Sequence, residues 1–268
     1  MNIISHTKIL NLVKKHFPNF DGKIWQVEIV DGDNVNFVKR ERNHIIHTDL
    51  IEDHLQFEKI TGEIDLYHYR KPCHLQHLKN GRTRIDSLNK YMQNGDTKEL
   101  STGVHSFFQS INETAKGFDN FKKGHFIFCL TDRGNSDYHF ENFGEACVKL
   151  RFIPKHRSNL IQFYKVKYLS ELDKFFQLKK EIKDSFDLEL KIKNGISLAP
   201  FVKEDRFKPE HEYRILFTVH MEKLMNQLAI DEHESSFLKV LEKNEEYIEM
   251  PLDNPIFQLD ILDITFKN

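Results

Sequence analysis

The chain has 268 residues, a net charge of −2 and three cysteines. That length buries a core without disulfide or metal staples, and so small a net charge leaves no global field to recruit nucleic acid or membrane. Cys73, Cys129 and Cys147 are an odd set without close pairing. The N-terminus lacks a signal-peptide pattern and no apolar run reaches membrane-spanning length. A soluble cytoplasmic protein in a reducing compartment is expected.

In chain order, Ile9, Leu10 and Val13 predict a helix over residues 7–16, stopped by Pro18. Ile24–Val30 and Val35–Lys39 read as strands joined by a turn at Asp31–Asn34, and Asp49–Ile60 reads as a helix. Residues 1–60 carry no evident chemistry and are expected to form an accessory segment ahead of a domain over 61–268. From Ile64 the texture changes. Ile64–Arg70 is a predicted strand, His74–Lys79 a helix closed by Asn80-Gly81, and Arg82–Asp86 a strand. A helix over Glu99–Ala115, a strand at His125–Thr131, a short helix at Ser136–Phe143 and strands at Cys147–Ile153 and Ile161–Tyr168 follow. Leu172, Phe175, Phe176, Leu178, Ile182 and Phe186 form a core-type stripe on a helix over Ser170–Ile192. Helices at Met221–Leu228 and Ser236–Asn244 and strands at Tyr247–Met250 and Phe257–Thr265 close the chain. Strands and helices mixed without strict alternation predict an α+β fold.

The run Phe207–Phe217 places Glu210, Glu212 and Arg214 two apart. In a strand all three share one face, opposite His211, Tyr213 and Ile215. One reading is a solvated edge with an Arg–Glu ladder. The other is an active-site floor on which Arg214 orients one carboxylate while the other does chemistry. Two more strands end in polar groups. Leu66–Arg70 puts His68 and Arg70 on one face and Tyr67 and Tyr69 on the other, and Phe126–Thr131 finishes on a hydroxyl. A cation, a hydroxyl and a carboxylate from three strands suit a phosphate-bearing substrate whose cleavage develops positive charge.

The chain has fifteen histidines. His74 and His77, with His68 nearby, lack a fourth ligand at zinc spacing and read as helix-surface residues; His44, His47 and His54 are likewise expected to be exposed. No metal is expected. Between Ala146 and Ser170 there is no acidic residue. Lys149 and Arg151 share one strand face, as do Lys165 and Lys167. If the two strands pair, they make a basic patch for the phosphates of a nucleic acid; the alternative is an ordinary edge protected by lysines.

The pieces Leu66-Tyr-His-Tyr-Arg70, Cys129-Leu-Thr131, His139-Phe-Glu-Asn-Phe-Gly144 and Glu210-His-Glu-Tyr-Arg214 resemble, in that order, a widespread bacterial family of uncharacterised proteins. The resemblance runs from about Leu66 to the C-terminus. Thr131 stands where the family has Ser, Phe140 and Phe143 where it has Trp and Tyr, and the family's Asn-Asp pair is missing near Met92-Gln93.

The same layout is similar to ADP-ribosyltransferases of the Arg–Ser–Glu type. This resemblance implies a split β-sheet core with flanking helices and NAD as substrate. Arg70 would grip the dinucleotide, with His68, Tyr67 and Arg214 around it. Thr131 would support the nicotinamide ribose, Glu212 would be catalytic and Glu210 would orient or deprotonate the acceptor. It further implies transfer of ADP-ribose to a macromolecule; the basic stretch with Lys149, Arg151, Lys165 and Lys167, taken as the acceptor surface, puts nucleic acid slightly before protein. The role implied is that of a bacterial toxin or phage-defence effector, with an antitoxin or chaperone as partner. The alternatives are a metal-dependent nuclease using Glu210 and Glu212, and a non-catalytic binding module.

Overall fold

The computed structural model describes residues 3–20, 25–30, 34–41, 44–46, 57–93, 124–190, 198–219, 231–243 and 246–267. The helices expected at 99–115 and 221–228, most of that at 49–60, and His47 and His54 lie outside them. The chain divides into two compact units. One comprises Met1–Glu58, Thr102–Thr114 and Lys167–Asp205; the other comprises Lys59–Ser101, Ala115–Val166 and Arg206–Asn268.

The described elements begin with α1 (Ile3–His16), β1 (Trp25–Val30), β2 (Asn34–Glu41) and β3 (His44–Ile46). Next come β4 (Ile64–Arg70), α2 (Leu75–Lys79), β5 (Arg82–Asp86), α3 (Leu88–Gln93), β6 (His125–Thr131) and α4 (Asp137–Phe143). Then follow β7 (Ala146–Pro154), β8 (Ile161–Lys165), β9 (Lys167–Tyr168), α5 (Asp173–Phe186), β10 (Glu189–Leu190) and β11 (Val202–Lys203). The last are β12 (Glu212–Thr218), α6 (Glu232–Val240), β13 (Glu242–Lys243), β14 (Tyr247–Pro251) and β15 (Phe257–Phe266). The fold is α+β.

In the first unit β1 and β2 form the expected antiparallel hairpin, β10 adds in parallel to β2, and β9 pairs with β11. Leu172, Phe175, Leu178 and Ile182 bury the predicted stripe. The helix stops at Phe186 rather than near Ile192, because Asp187 takes a left-handed conformation (φ 54°) that ends the helical ladder. Lys167–Asp205 groups with the N-terminal residues, through a strand that pairs with β2.

The second unit is built on an antiparallel sheet in the order β15-β7-β4-β6-β12-β8. Alternation sends Leu66, Phe128, Leu130, Val148, Leu150, Phe163, Ile215 and Phe217 to one face, where they pack with Phe237 of α6 and with Ile85, Ile248 and Met250 of the small sheet β13-β14-β5. Each such side chain contributes about 1.5–3 kcal/mol on burial. The other face carries a smaller cluster of Tyr69, Phe140 and Cys147, with Tyr67 beside it.

β4 pairs with β7 from Ile64 to Arg70, yet meets β6 in register only at Tyr67↔Thr131. Beyond that point the carbonyl of Cys129 accepts a hydrogen bond from the His68 ring (Nδ1, 2.9 Å). An imidazole thus satisfies a strand carbonyl where the β4–β6 ladder stops.

Two expected strands begin or end elsewhere. Residues 205–210 form a 3-10 turn containing Pro209, and His211 is left-handed (φ 47°), so β12 starts at Glu212 and Glu210 lies outside it. The strand expected over Ile161–Tyr168 breaks at Val166, whose N–H donates to the Glu212 carbonyl (2.9 Å) at the end of β12. Phe57–Ile60 is not helical: the Ile60 N–H donates to the Phe163 carbonyl (2.8 Å).

Candidate functional site

β12 lies between β6 and β8, so the face bearing Glu212 and Arg214 is not a solvated edge. Arg214 Nε donates to Glu212 Oε1 at 2.7 Å and Nη2 to Oε2 at 3.0 Å. The Arg214 side chain is 0% exposed and that of Glu212 6%. Alternation puts the two side chains on the same face, two residues apart, which is what lets the planar fork meet the carboxylate. An ion pair this dry is weak evidence for stability, because desolvating both charges offsets most of their attraction. Its stronger consequence is a carboxylate fixed in one orientation.

Glu212 is level with Thr131 on β6, which is level with Tyr67 on β4. Beside this row lies a cleft of about 350 Å³. It is lined on β4 by Tyr67, His68, Tyr69 and Arg70, and across from them by Thr131, Glu210 and Glu212. Lys71, His74, Arg84 and Asp86 extend the Arg70 side, Ile85 and residues 127–130 of β6 add mostly apolar lining, and His139 and Phe143 of α4 contribute as well. The structure therefore brings together Tyr67, His68, Arg70, Thr131, Glu210 and Glu212, with Arg214 behind Glu212.

Arg70 is a buried cation of this lining that is not fully satisfied among the described residues. Its Nε and Nη1 are buried and meet no acceptor. Burial lowers its pKa, and the charge of Asp86 acts in the opposite direction. A guanidinium left partly unpaired is costly unless a ligand supplies the acceptors. The end of β4 is held against Gly144, which has φ +140°; a Cβ there would sit 2.4 Å from the Arg70 carbonyl carbon. Only glycine permits both that conformation and that approach.

Thr131 has a structural commitment. Its hydroxyl donates to the Glu210 carbonyl (2.7 Å) and accepts from the Arg133 N–H (3.1 Å). Its one proton is spent, so toward a ligand it can only accept. His68, whose Nδ1 donates to Cys129, is held neutral: burial and the adjacent Arg70 charge push its pKa down to about 3. Tyr69 pins the 132–136 loop by donating to the Arg133 carbonyl (2.9 Å) and accepting from the Ser136 N–H (3.0 Å); burial raises its pKa. The Tyr67 ring lies against Gly134, where a Cβ would be 2.5 Å from Tyr67 Cζ.

His139, which is 2% exposed, carries no role assigned from its residue pattern. Its Nε2 donates to the Glu210 carbonyl (3.0 Å), so this carbonyl receives both Thr131 and His139. The ring stacks on Tyr69 (centroids 4.9 Å apart). A histidine in a short aromatic helix reads as core; its place in a stretch shared with the resembled family was the one available signal.

The basic residues do not assemble into the expected patch. β7 and β8 are separated by β4, β6 and β12. Lys149 lies 3.2 Å from Asp65, and Arg151 bonds Asp65 at 2.7 and 3.2 Å with Glu63 at 3.3 Å. The hydrogen bond from Arg151, then that from Lys149, holds the Asp65 carboxyl down at about 2. Lys165 sits over the Tyr213 ring (5.2 Å), with Asp132 at 3.9 Å. Lys167 belongs to the other compact unit, 3.9 Å from Glu171. Lys149 and Arg151, both on β7, share Asp65, while Lys165 lies on β8 and Lys167 on β9, each with its own acidic neighbour.

His74 is exposed and His77 faces Glu249 at 3.5 Å. Among the described residues no three His, Cys, Asp or Glu side chains are grouped to hold a metal ion, and no helix is long and apolar enough to cross a membrane. No protein-family model, curated protein or solved structure matches the chain.

Proposed function

We propose that the cleft binds NAD and that the protein transfers its ADP-ribose to a macromolecular acceptor. The observation that carries this reading is the charge layout: Arg70, with two buried nitrogens that meet no acceptor among the described residues, lines the same cleft as a carboxylate oriented by Arg214. A cleft of about 350 Å³ lies in the range of small-molecule sites. Arg70, helped by Lys71 and Arg84, takes phosphate oxygens, and Glu212 accepts a hydrogen bond from the nicotinamide ribose.

In the step itself the bond between ribose C1′ and the nicotinamide nitrogen breaks, and its electron pair leaves with nicotinamide. The oxocarbenium-like centre is stabilised by the fixed negative charge of Glu212. The acceptor nucleophile bonds to C1′ and its proton passes to Glu210. The split between β4 and β6 is in keeping with an ADP-ribosyltransferase-like core. Since Lys149, Arg151, Lys165 and Lys167 are dispersed, the slight preference for a nucleic-acid acceptor loses its support; protein and nucleic acid stand level.

The test is incubation of the purified protein with NAD labelled in its ADP-ribose and with cell lysate. Label incorporated into protein or nucleic acid, with nicotinamide released in proportion, is expected. Absence of labelling together with absence of NAD binding by calorimetry overturns the reading.

A further inference from the structure

We propose that a second cavity, at the end of the six-stranded sheet opposite the Arg70 end of the cleft, binds a nucleoside polyphosphate. The proposal stands apart from the NAD reading. In the β4–β7 register Arg70 is level with Ala146 and Ile64 with Phe152, so the two ends of β4 lie about 20 Å apart. At the Ile64 end the sheet curls. Lys59 is level with Tyr164 of β8, the Ile60 N–H donates to the Phe163 carbonyl (2.8 Å), and from Ile64 the chain pairs with β7 instead. The crossing brings the rings of Phe152 and Phe163 to 5.0 Å from each other. Both line a cavity of about 500 Å³, a size found among small-molecule sites.

Among the described residues the lining carries Lys59, Lys155, His156 and Arg157 and no carboxylate. Three of the four come from the acid-free stretch between Ala146 and Ser170. Lys155 pairs with Asp253 and His156 with Asp231, carboxylates that do not line the cavity. Lys59 and Arg157 are exposed and have no carboxylate partner among the described residues. The loop that presents Arg157 is anchored on both sides. The Lys155 and His156 N–H groups donate to the Ile256 carbonyl (2.9 Å each), and the Ser158 hydroxyl and Asn159 N–H donate to Glu234 Oε1 at 2.7 and 2.8 Å. Such preorganisation lowers the cost of ordering the loop around a ligand. The cations suit adjoining phosphate groups. The rest of the lining is largely apolar, with Ile60 and Ile161 half-buried and Pro154 exposed. A bare phosphate leaves that surface wet, whereas a planar base covers it and can stack on a guanidinium. A polynucleotide instead needs cations running along its backbone, and on β7 Lys149 and Arg151 are already engaged by Asp65.

The experiment is calorimetry of ATP against the full chain, without NAD. Binding is expected, and the double variant Lys59→Ala, Arg157→Ala should weaken it at least about tenfold through the loss of charge-assisted contacts. Both side chains are exposed, so this variant should keep the wild-type unfolding midpoint. Arg70→Met, at the other end of β4, should leave ATP affinity unchanged. Inorganic triphosphate tests the apolar surface and is expected to bind at least about tenfold more weakly than ATP, since it covers none of that surface. Absence of ATP binding overturns the proposal. So does ATP binding that is lost in Arg70→Met and kept in the double variant, which would place the nucleotide in the cleft. Triphosphate binding as tightly as ATP overturns the nucleoside assignment and leaves a site for anions alone.

Discussion

Gly144 and Arg70 share a contact that no other residue type at position 144 permits. The glycine has φ +140°, and a Cβ would stand 2.4 Å from the Arg70 carbonyl carbon and 2.6 Å from its oxygen. Gly144→Ala must therefore shift the end of β4 that presents the guanidinium. We expect a stability loss of about 1–3 kcal/mol, the range for a strained backbone position. NAD affinity should fall at least tenfold at temperatures where the variant remains folded. Urea denaturation and calorimetry measure the two effects; unchanged affinity in the folded variant would show that β4 tolerates the shift.

The bidentate pair of Arg214 and Glu212 makes the substitution of Glu212 costly in two ways. Glu212→Gln removes the oriented negative charge and should cut turnover by roughly two to four orders of magnitude. It also turns an amide toward a guanidinium that is 0% exposed, leaving a buried cation short of its counter-charge. A stability loss of about 3–5 kcal/mol is expected for breaking such a pair. Glu210→Gln leaves the Arg214 pair intact, and its backbone carbonyl still receives Thr131 and His139, so it should fold normally. Normal turnover in folded Glu212→Gln, with loss in Glu210→Gln, would exchange the two roles.

Local pattern carried part of this architecture. β4 and β6 have the bounds their alternation predicts, and Asn80-Gly81 marks the turn into β5, with Gly81 at φ +70°. Of the expected apolar stripe, Leu172, Phe175, Leu178 and Ile182 are buried, while Phe176 and Phe186 are half-buried. What failed was non-local. Nothing in Glu-His-Glu announces that His211 is left-handed; that conformation accompanies the docking of Glu210 against Thr131 and His139, two distant elements. Likewise, Lys165 and Lys167 look like neighbours on one strand. Val166 nevertheless ends the pairing with β12, and β9 joins a different sheet. At the site, residue types near strand ends found the lining. The burial of Arg214 depended on strand order, which a single sequence does not encode locally.

His68 gives the protein an acid-sensitive stability. Its pKa is held near 3 in the folded state, below the ordinary value of 6.5. Between those values the unfolded chain binds the proton and the folded one does not, so stability falls as pH drops from about 6.5 toward 3. Above 6.5 both states are neutral at this position and the contribution is fully present. The size is at most about 5 kcal/mol. His68→Asn, which can still donate to the Cys129 carbonyl but does not titrate, should flatten the dependence across that window. Chemical denaturation at pH 7, 5.5 and 4.5 measures this, and parallel curves for variant and wild type would exclude His68 as the source.

Arg70 should trade stability for binding. Its Nε and Nη1 lack acceptors, and burial opposes its charge. Replacing a poorly satisfied buried cation with an apolar side chain of similar length is often neutral or stabilising. Arg70→Met is accordingly expected to match or exceed the wild-type unfolding midpoint. NAD binding should meanwhile fall at least tenfold, the loss of one or more charge-assisted hydrogen bonds worth about 1.5–3 kcal/mol. Arg70→Lys should lie between the two, since an ammonium restores charge but not the planar guanidinium geometry. The pair of measurements is decisive because a merely structural arginine predicts the opposite order. If Arg70→Met unfolds more readily while the folded fraction binds NAD normally, Arg70 braces β4 and another cation of the cleft holds the phosphates.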